Sequence, residues 1–276
     1  MDGEARVLAD SISPLGKRLT TLEVKFPRFV LAEFNTHRMF SRNSASSRAI
    51  PVTKQVNKLT ADNLFVGEHW GSNKPGMQAG AELTGADREL AIEIWRDAGR
   101  HAIEAATRLA ELGVHKQRTN RILEPFMIHT VIVSATEWDN FYALRDHPAA
   151  QPEIRDAAVA MREAMEASTP AYLDYGEWHT PLILPDEDFP LEERIRISGG
   201  RCARTSYETH NGVRDPNEDV LLHDRLSNDG HMSPFEHQAR PLEEGEEQQG
   251  NFIGYYQHRS DFWYQANYGA KLAKGE

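Results

Sequence analysis

The run from Asp87 to Leu112 constrains this chain most. It is rich in Ala, Glu and Arg, contains no proline, and is followed directly by Gly113. Straight-chain residues and alanine favour a long helix, and a glycine just past the end closes it in the left-handed conformation. A second pattern lies upstream. Between Arg18 and Phe26, Leu22, Val24 and Phe26 alternate with Thr21, Glu23 and Lys25, which marks a half-buried strand. A chain holding both patterns is of the α+β class.

The remaining segments fit that class. Pro27 suits a first helical turn, and Phe29, Val30, Phe34 and His37 share one helical stripe that ends near Ser41. A short helix is predicted near Lys54–Leu64, and Phe126–Ser134 is β-rich. Thr136–Asp139 has the form of a capping box ahead of a helix carrying Trp138, Phe141, Tyr142 and Arg145. Pro152 opens another helix, with Ile154, Ala158, Met161 and Met165 on its inner face. Residues 168–193 hold Pro170, Pro181, Pro185 and Pro190 among acids and read as a surface connection or a junction between lobes. Structure resumes at Ile195–Ile197 and a helical Gly199–Tyr207. Asp215-Pro216 then supplies a cap and an N1 proline for a helix closing at Gly230. Glu243–Glu247 reads as a solvated loop. We expect one domain over 1–276, with parts at 1–167, 168–194 and 195–276.

Composition excludes several classes. A net charge of −11 argues against sequence-independent duplex binding, so no nucleic-acid partner is expected. One cysteine, Cys202, excludes an internal disulfide framework and a paired-cysteine zinc site. No apolar run reaches the roughly 18 residues of a membrane span. The first ten residues show neither a basic nor an apolar leader region. The expectation is a cytoplasmic protein without a membrane partner.

Four groups of residues carry chemical potential. Thr36-His37-Arg38-Met39-Phe40-Ser41-Arg42-Asn43-Ser44-Ala45-Ser46-Ser47-Arg48 packs three arginines, a histidine and several hydroxyls behind a helix. Guanidinium forks match phosphate oxygens, although a solvated basic turn has the same composition. His231-Met232-Ser233-Pro234-Phe235-Glu236-His237 flanks a carboxylate with two histidines. It reads as a structural pair or as a polar lining for an aromatic cofactor, and we expect no metal there. Arg121 and Arg145 form the third group; Arg145 lies on an otherwise apolar helix and needs either a partner or an exit to solvent. The fourth is aromatic: Phe252, Tyr255, Tyr256, Phe262, Trp263, Tyr264 and Tyr268, a composition common in cores and subunit interfaces.

These segments resemble the flavin-dependent thymidylate synthases, also called thymidylate synthase complementing proteins. His37, Arg38, Ser41, Asn43, Ser46 and Arg48 match the family's long motif in register. Thr36 stands where the family has arginine, Ser44 where it has an acid, and Glu33 where it has glutamine. Arg121, Asn140 and Arg145 match a second block, in which Ser134 and Thr136 replace a flavin-contacting asparagine and arginine. Residues 201–237 resemble the family's N-terminus but follow the other blocks. Gln257-His258-Arg259-Ser260 resembles a degenerate second motif. The resemblance therefore implies a flavin-dependent thymidylate synthase-like fold, a mixed sheet packed with several long helices, in permuted or partly duplicated order.

The resemblance also implies a function: one-carbon transfer to C5 of a pyrimidine deoxynucleotide, dUMP to dTMP, using FAD, methylenetetrahydrofolate and NADPH in a homotetramer. Arg145 takes the catalytic position. Glu33, Ser44, Ser46, Arg48 and Arg121 join it as nucleotide contacts. His37, Arg38, Ser41, Asn43, Asn140, His231, Ser233 and Glu236 are the implied flavin contacts. The departures leave room for a hydroxymethylase, for a dCMP substrate, or for a nucleotide-binding relative without activity.

Overall fold

The structure is a computed structural model, and it describes residues 4–60, 63–205 and 215–262. Its centre is a five-stranded sheet in the order β3-β4-β2-β1-β5. Strands β1 (Glu4–Ile12), β2 (Arg18–Pro27), β3 (Ser41–Ser44) and β4 (Ile128–Ala135) pair antiparallel, and β5 (Ala171–Tyr172) adds in parallel to β1. The sheet is thus mixed, as the sequence predicts.

Both faces of the sheet are covered. Against one lie α5 (Asp139–Arg145) and α6 (Pro152–Glu166), whose Phe141, Ile154, Ala158, Met161 and Met165 meet Leu22, Val24 and Phe26 of β2 and Val131 and Val133 of β4. The other face carries Ile132 and Leu8, packed with Leu182 and Cys202 of the C-terminal third. A strand covered on two sides reads as an unbroken apolar run, which is why Val131-Ile132-Val133 shows no alternation. The same cover explains Thr21: it faces away from Leu22 and Val24 yet is 0% exposed.

The helix α3 (Gly85–Glu111) spans the predicted run, and Gly113 closes it at φ 78°. Its Ala106 packs with Leu59, Leu64, Leu123 and Phe126 in a separate cluster, and the four-residue α4 (Lys116–Thr119) follows α3. Helices α7 (Leu191–Arg204) and α8 (Pro216–Asn228) cross closely, because Gly200 sits where a Cβ would lie 2.1 Å from the Asp219 carbonyl oxygen. The side chain of Asp215 caps α8 by accepting from the backbone N–H groups of Asn217 and Glu218. A short hairpin of β6 (Ala239–Pro241) and β7 (Tyr255–Gln257) completes the fold.

Four readings are corrected. Pro27 ends β2, and only a single 3-10 turn (Arg28–Val30) and the four-residue α1 (Leu31–Phe34) follow, because Arg42 ties off the chain by donating to the Phe34, Asn35 and His37 carbonyl oxygens. The second helix, α2, is Val52–Lys58 rather than 54–64. The capping box does not form: no side chain caps α5, and the Thr136 hydroxyl accepts instead from the Ile253 backbone N–H at 3.0 Å. The segments at 195–197 and from 199 onward are one helix, α7, while Ser206 and Tyr207 lie outside the described residues, as do Trp263, Tyr264 and Tyr268.

Candidate functional site

The motif that reads as a basic turn is built as a turn and an edge strand. Residues 35–40 turn out of α1, and Ser41–Ser44 pair with Val131–Ser134 as β3. Edge pairing fixes alternate side chains in opposite directions. Ser41 and Asn43 are buried, while Arg42 and Ser44 are half-buried.

The buried pair is spent on holding the C-terminal third. The Asn43 side-chain amide donates to the Cys202 carbonyl oxygen at 2.6 Å, which joins β3 to α7. The Ser41 hydroxyl accepts from Gln257 Nε2 at 3.1 Å, and the same nitrogen donates to the Glu236 carbonyl oxygen at 2.8 Å. The segment resembling the family's N-terminus, late in this chain, is therefore seated directly on the strand carrying the long motif.

Around His37 the chain forms a cationic station. The His37 ring is 8% exposed and meets Phe141 edge to face, with centroids 4.9 Å apart. Arg145, in the last turn of α5, donates from Nε to His37 Nε2 at 3.1 Å. Burial, with Arg145 and Arg42 nearby, lowers the His37 pKa to about 4, so its ring is neutral at pH 7 and can accept that bond. Burial also lowers the Arg42 pKa; Glu236 opposes this and Arg38 adds to it. Glu236 itself pairs with Arg259. Arg145 has no carboxylate partner among the described residues, and neither has the exposed Arg38.

A second station lies past β3. Glu124 accepts from Ser47 at 2.6 Å and from Arg121 at 2.7 Å, and its Oε1 is 3.1 Å from Arg28 Nε. Arg48 is exposed without an ion pair among the described residues, and Ser46 is half-buried. Of the remaining predicted residues, Asn140, His231 and Ser233 are exposed. Glu33 is half-buried, and its Oε2 is shielded from solvent with no hydrogen-bond partner among the described residues.

His231 and His237 do not share a site. The former is exposed, while His237 is 0% exposed and its Nδ1 meets the Ser134 hydroxyl at 2.8 Å. Among the described residues no group of three or more His, Cys, Asp or Glu side chains is placed to hold a metal.

Two polar networks were missed by sequence reasoning. One is buried and crosses the sheet: Ser11, His179, Thr21, Ser134 and His237 are linked by contacts of 2.8, 2.7, 2.6 and 2.8 Å. The other runs Asp224–His223–His258–Asp261. Only the burial of Thr21 on the polar side of a strand could have hinted at the first, and that depends on packing from residues far away in sequence.

Comparison with known proteins agrees with the resemblance. The profile of the family "Thymidylate synthase complementing protein" matches residues 10–171, more than half of the chain, and the chain belongs to that family. No match is found among curated protein sequences. Among solved structures, a UMP/dUMP methylase, PolB, from Streptomyces cacaoi bound with 5-Br UMP is similar at 18% identity and TM-score 0.48, over 59% of this chain and 88% of that one. The same enzyme bound with 5-Br dUMP is similar at 17% identity and TM-score 0.47, over 60% and 88%.

Proposed function

We propose that the protein transfers a one-carbon unit to C5 of a pyrimidine deoxynucleotide, converting dUMP to dTMP with FAD, methylenetetrahydrofolate and NADPH. Family membership supports this reading. The observation that carries it is Arg145: a guanidinium bonded to a neutral imidazole, with no carboxylate partner among the described residues, in a protein of net charge −11. A guanidinium held in one direction with its charge intact is suited to an anionic ligand.

Part of the implied residue set supports binding of these groups. Arg38, which has no ion pair among the described residues, and Asn140, His231 and Ser233 at the surface are assigned to the flavin, whereas Ser41, Asn43 and Glu236 already have partners in the chain. When bound, flavin and folate supply the hydride and the carbon unit. The chain's part is binding and charge. C5 of uracil is a weak nucleophile, and fixed positive charge from Arg145 favours the ionised, enolate-like ring. Arg48, Arg121, Ser44 and Ser46 are assigned to the nucleotide. Cys202 takes no part: it is fully buried, and burial raises its pKa to about 12.

Glu33 favours a second substrate. A shielded carboxylate oxygen with no donor among the described residues matches an exocyclic amine, as on cytosine, so dCMP is the rival. Product analysis with dUMP and dCMP in parallel decides between them. We expect dTMP from dUMP; conversion of dCMP alone would replace that assignment. The family's tetramer and a cytoplasmic setting belong to the same proposal. No helix among the described residues is long and apolar enough to cross a membrane.

A further inference from the structure

We infer that His37 is a positioning residue, a neutral acceptor that aims Arg145 without cancelling its charge. The inference rests on the functional reading above and goes beyond it, since the resemblance assigns His37 only to the flavin. Arg145 spends Nε–H on His37 Nε2, at 3.1 Å. Its two terminal nitrogens have no partner among the described residues, so the outer edge of the fork is left for a ligand. That edge has a fixed direction because the acceptor is itself fixed. The His37 ring is wedged against Phe141 at 4.9 Å and 89°, and against Phe40 at 5.8 Å. Phe141 lies one helical turn before Arg145 on α5, so the same helix sets both the arginine and the wall behind its acceptor. Arg42 holds the loop from the other side by donating to the His37 carbonyl oxygen at 2.9 Å.

The chemistry explains why the acceptor is an imidazole. An aspartate or glutamate would hold the guanidinium as firmly, but would neutralise the charge that the reacting pyrimidine needs. A neutral imidazole accepts one hydrogen bond and leaves the full positive charge. The same tautomer puts the ring's own proton on Nδ1, where it stays available to an acceptor in the site.

The test compares His37→Gln, His37→Ala and His37→Glu in the FAD-loaded enzyme, following turnover of dUMP, equilibrium binding of dUMP, and Tm. We expect Gln to keep kcat within about fivefold, because its amide oxygen can accept from Arg145. We expect Ala to lower kcat about 100-fold with KM for dUMP changed less than about fivefold. Glu should keep Tm at or above the wild-type value and still lose kcat about 100-fold, a loss that a purely structural role would not produce. Wild-type kcat in the Ala or Glu variant, with the parent enzyme active, would overturn the inference and leave the functional reading standing. A wild-type protein that neither binds nor turns over dUMP would overturn both.

Discussion

At the scale of single residues, the site is a question of which charges have partners. Most arginines here are answered by acids: Arg18 by Asp10, Arg162 by Asp146, Arg201 by Glu187 and Asp219, Arg240 by Glu246. Arg145 is answered by a histidine held neutral. Replacing Arg145 with Ala should abolish turnover while largely sparing FAD binding. A variant whose kcat/KM stays within about tenfold of wild type, roughly 1.4 kcal/mol of barrier, would remove Arg145 from its assigned role. The motif's residue types and spacing were legible in the sequence. Its division of labour was not, because β3 sends Ser41 and Asn43 inward to Gln257 and to the Cys202 carbonyl, more than 150 residues later in the chain. Long-range partners of that kind leave no local signature.

Elements were legible where a local cause fixes them. Helix α3 follows from composition and Gly113, and α8 follows from Asp215 and Pro216. Strand β3 was missed because its four residues are mostly small and polar and owe their conformation to pairing with β4. The close approach of α7 and α8 was also invisible. Gly200 is mid-helix, where alanine would ordinarily gain about 1 kcal/mol of helix propensity. Here the added methyl would meet the Asp219 carbonyl oxygen at 2.1 Å, and overpacking of this kind costs about 1–3 kcal/mol or more. The clash wins, so Gly200→Ala should lower Tm by several degrees, at roughly 2–4 °C per kcal/mol for a chain of this size. An unchanged or raised Tm would mean that the helices part easily.

For the whole molecule, two buried neutral histidines, His179 and His237, join the sheet to its C-terminal cover, and a third, His129, is buried in β4 beside Arg28. His129, His179 and His237 are 2%, 1% and 0% exposed, and burial lowers the pKa of each to about 3, with Arg28 adding to the effect at His129 and His179 at His237. The unfolded chain titrates these rings near 6.5. Between those values the unfolded state binds more protons than the folded state, so stability is full above pH 6.5 and falls as pH drops toward 3. Each ring contributes up to about 1.4 kcal/mol per pH unit, so the three together give a limiting slope of about 4 kcal/mol per unit. Urea unfolding at pH 7.5, 6.5 and 5.5 reads this directly: little change over the first step and a clear fall over the second. A flat profile would show that these rings are not buried in their neutral form.

The same cover brings the late segment that resembles the family's N-terminus onto β3, the strand that carries the long motif. A site assembled in this way should still perform the family's chemistry. The most direct test is to supply the purified, FAD-loaded protein with NADPH, dUMP and methylenetetrahydrofolate labelled in its methylene carbon. The expected result is a flavin absorption band at about 450 nm and label recovered at C5 of dTMP. A protein that retains no flavin at micromolar concentration and leaves dUMP unlabelled would contradict it, and would mark the chain as a relative without the activity.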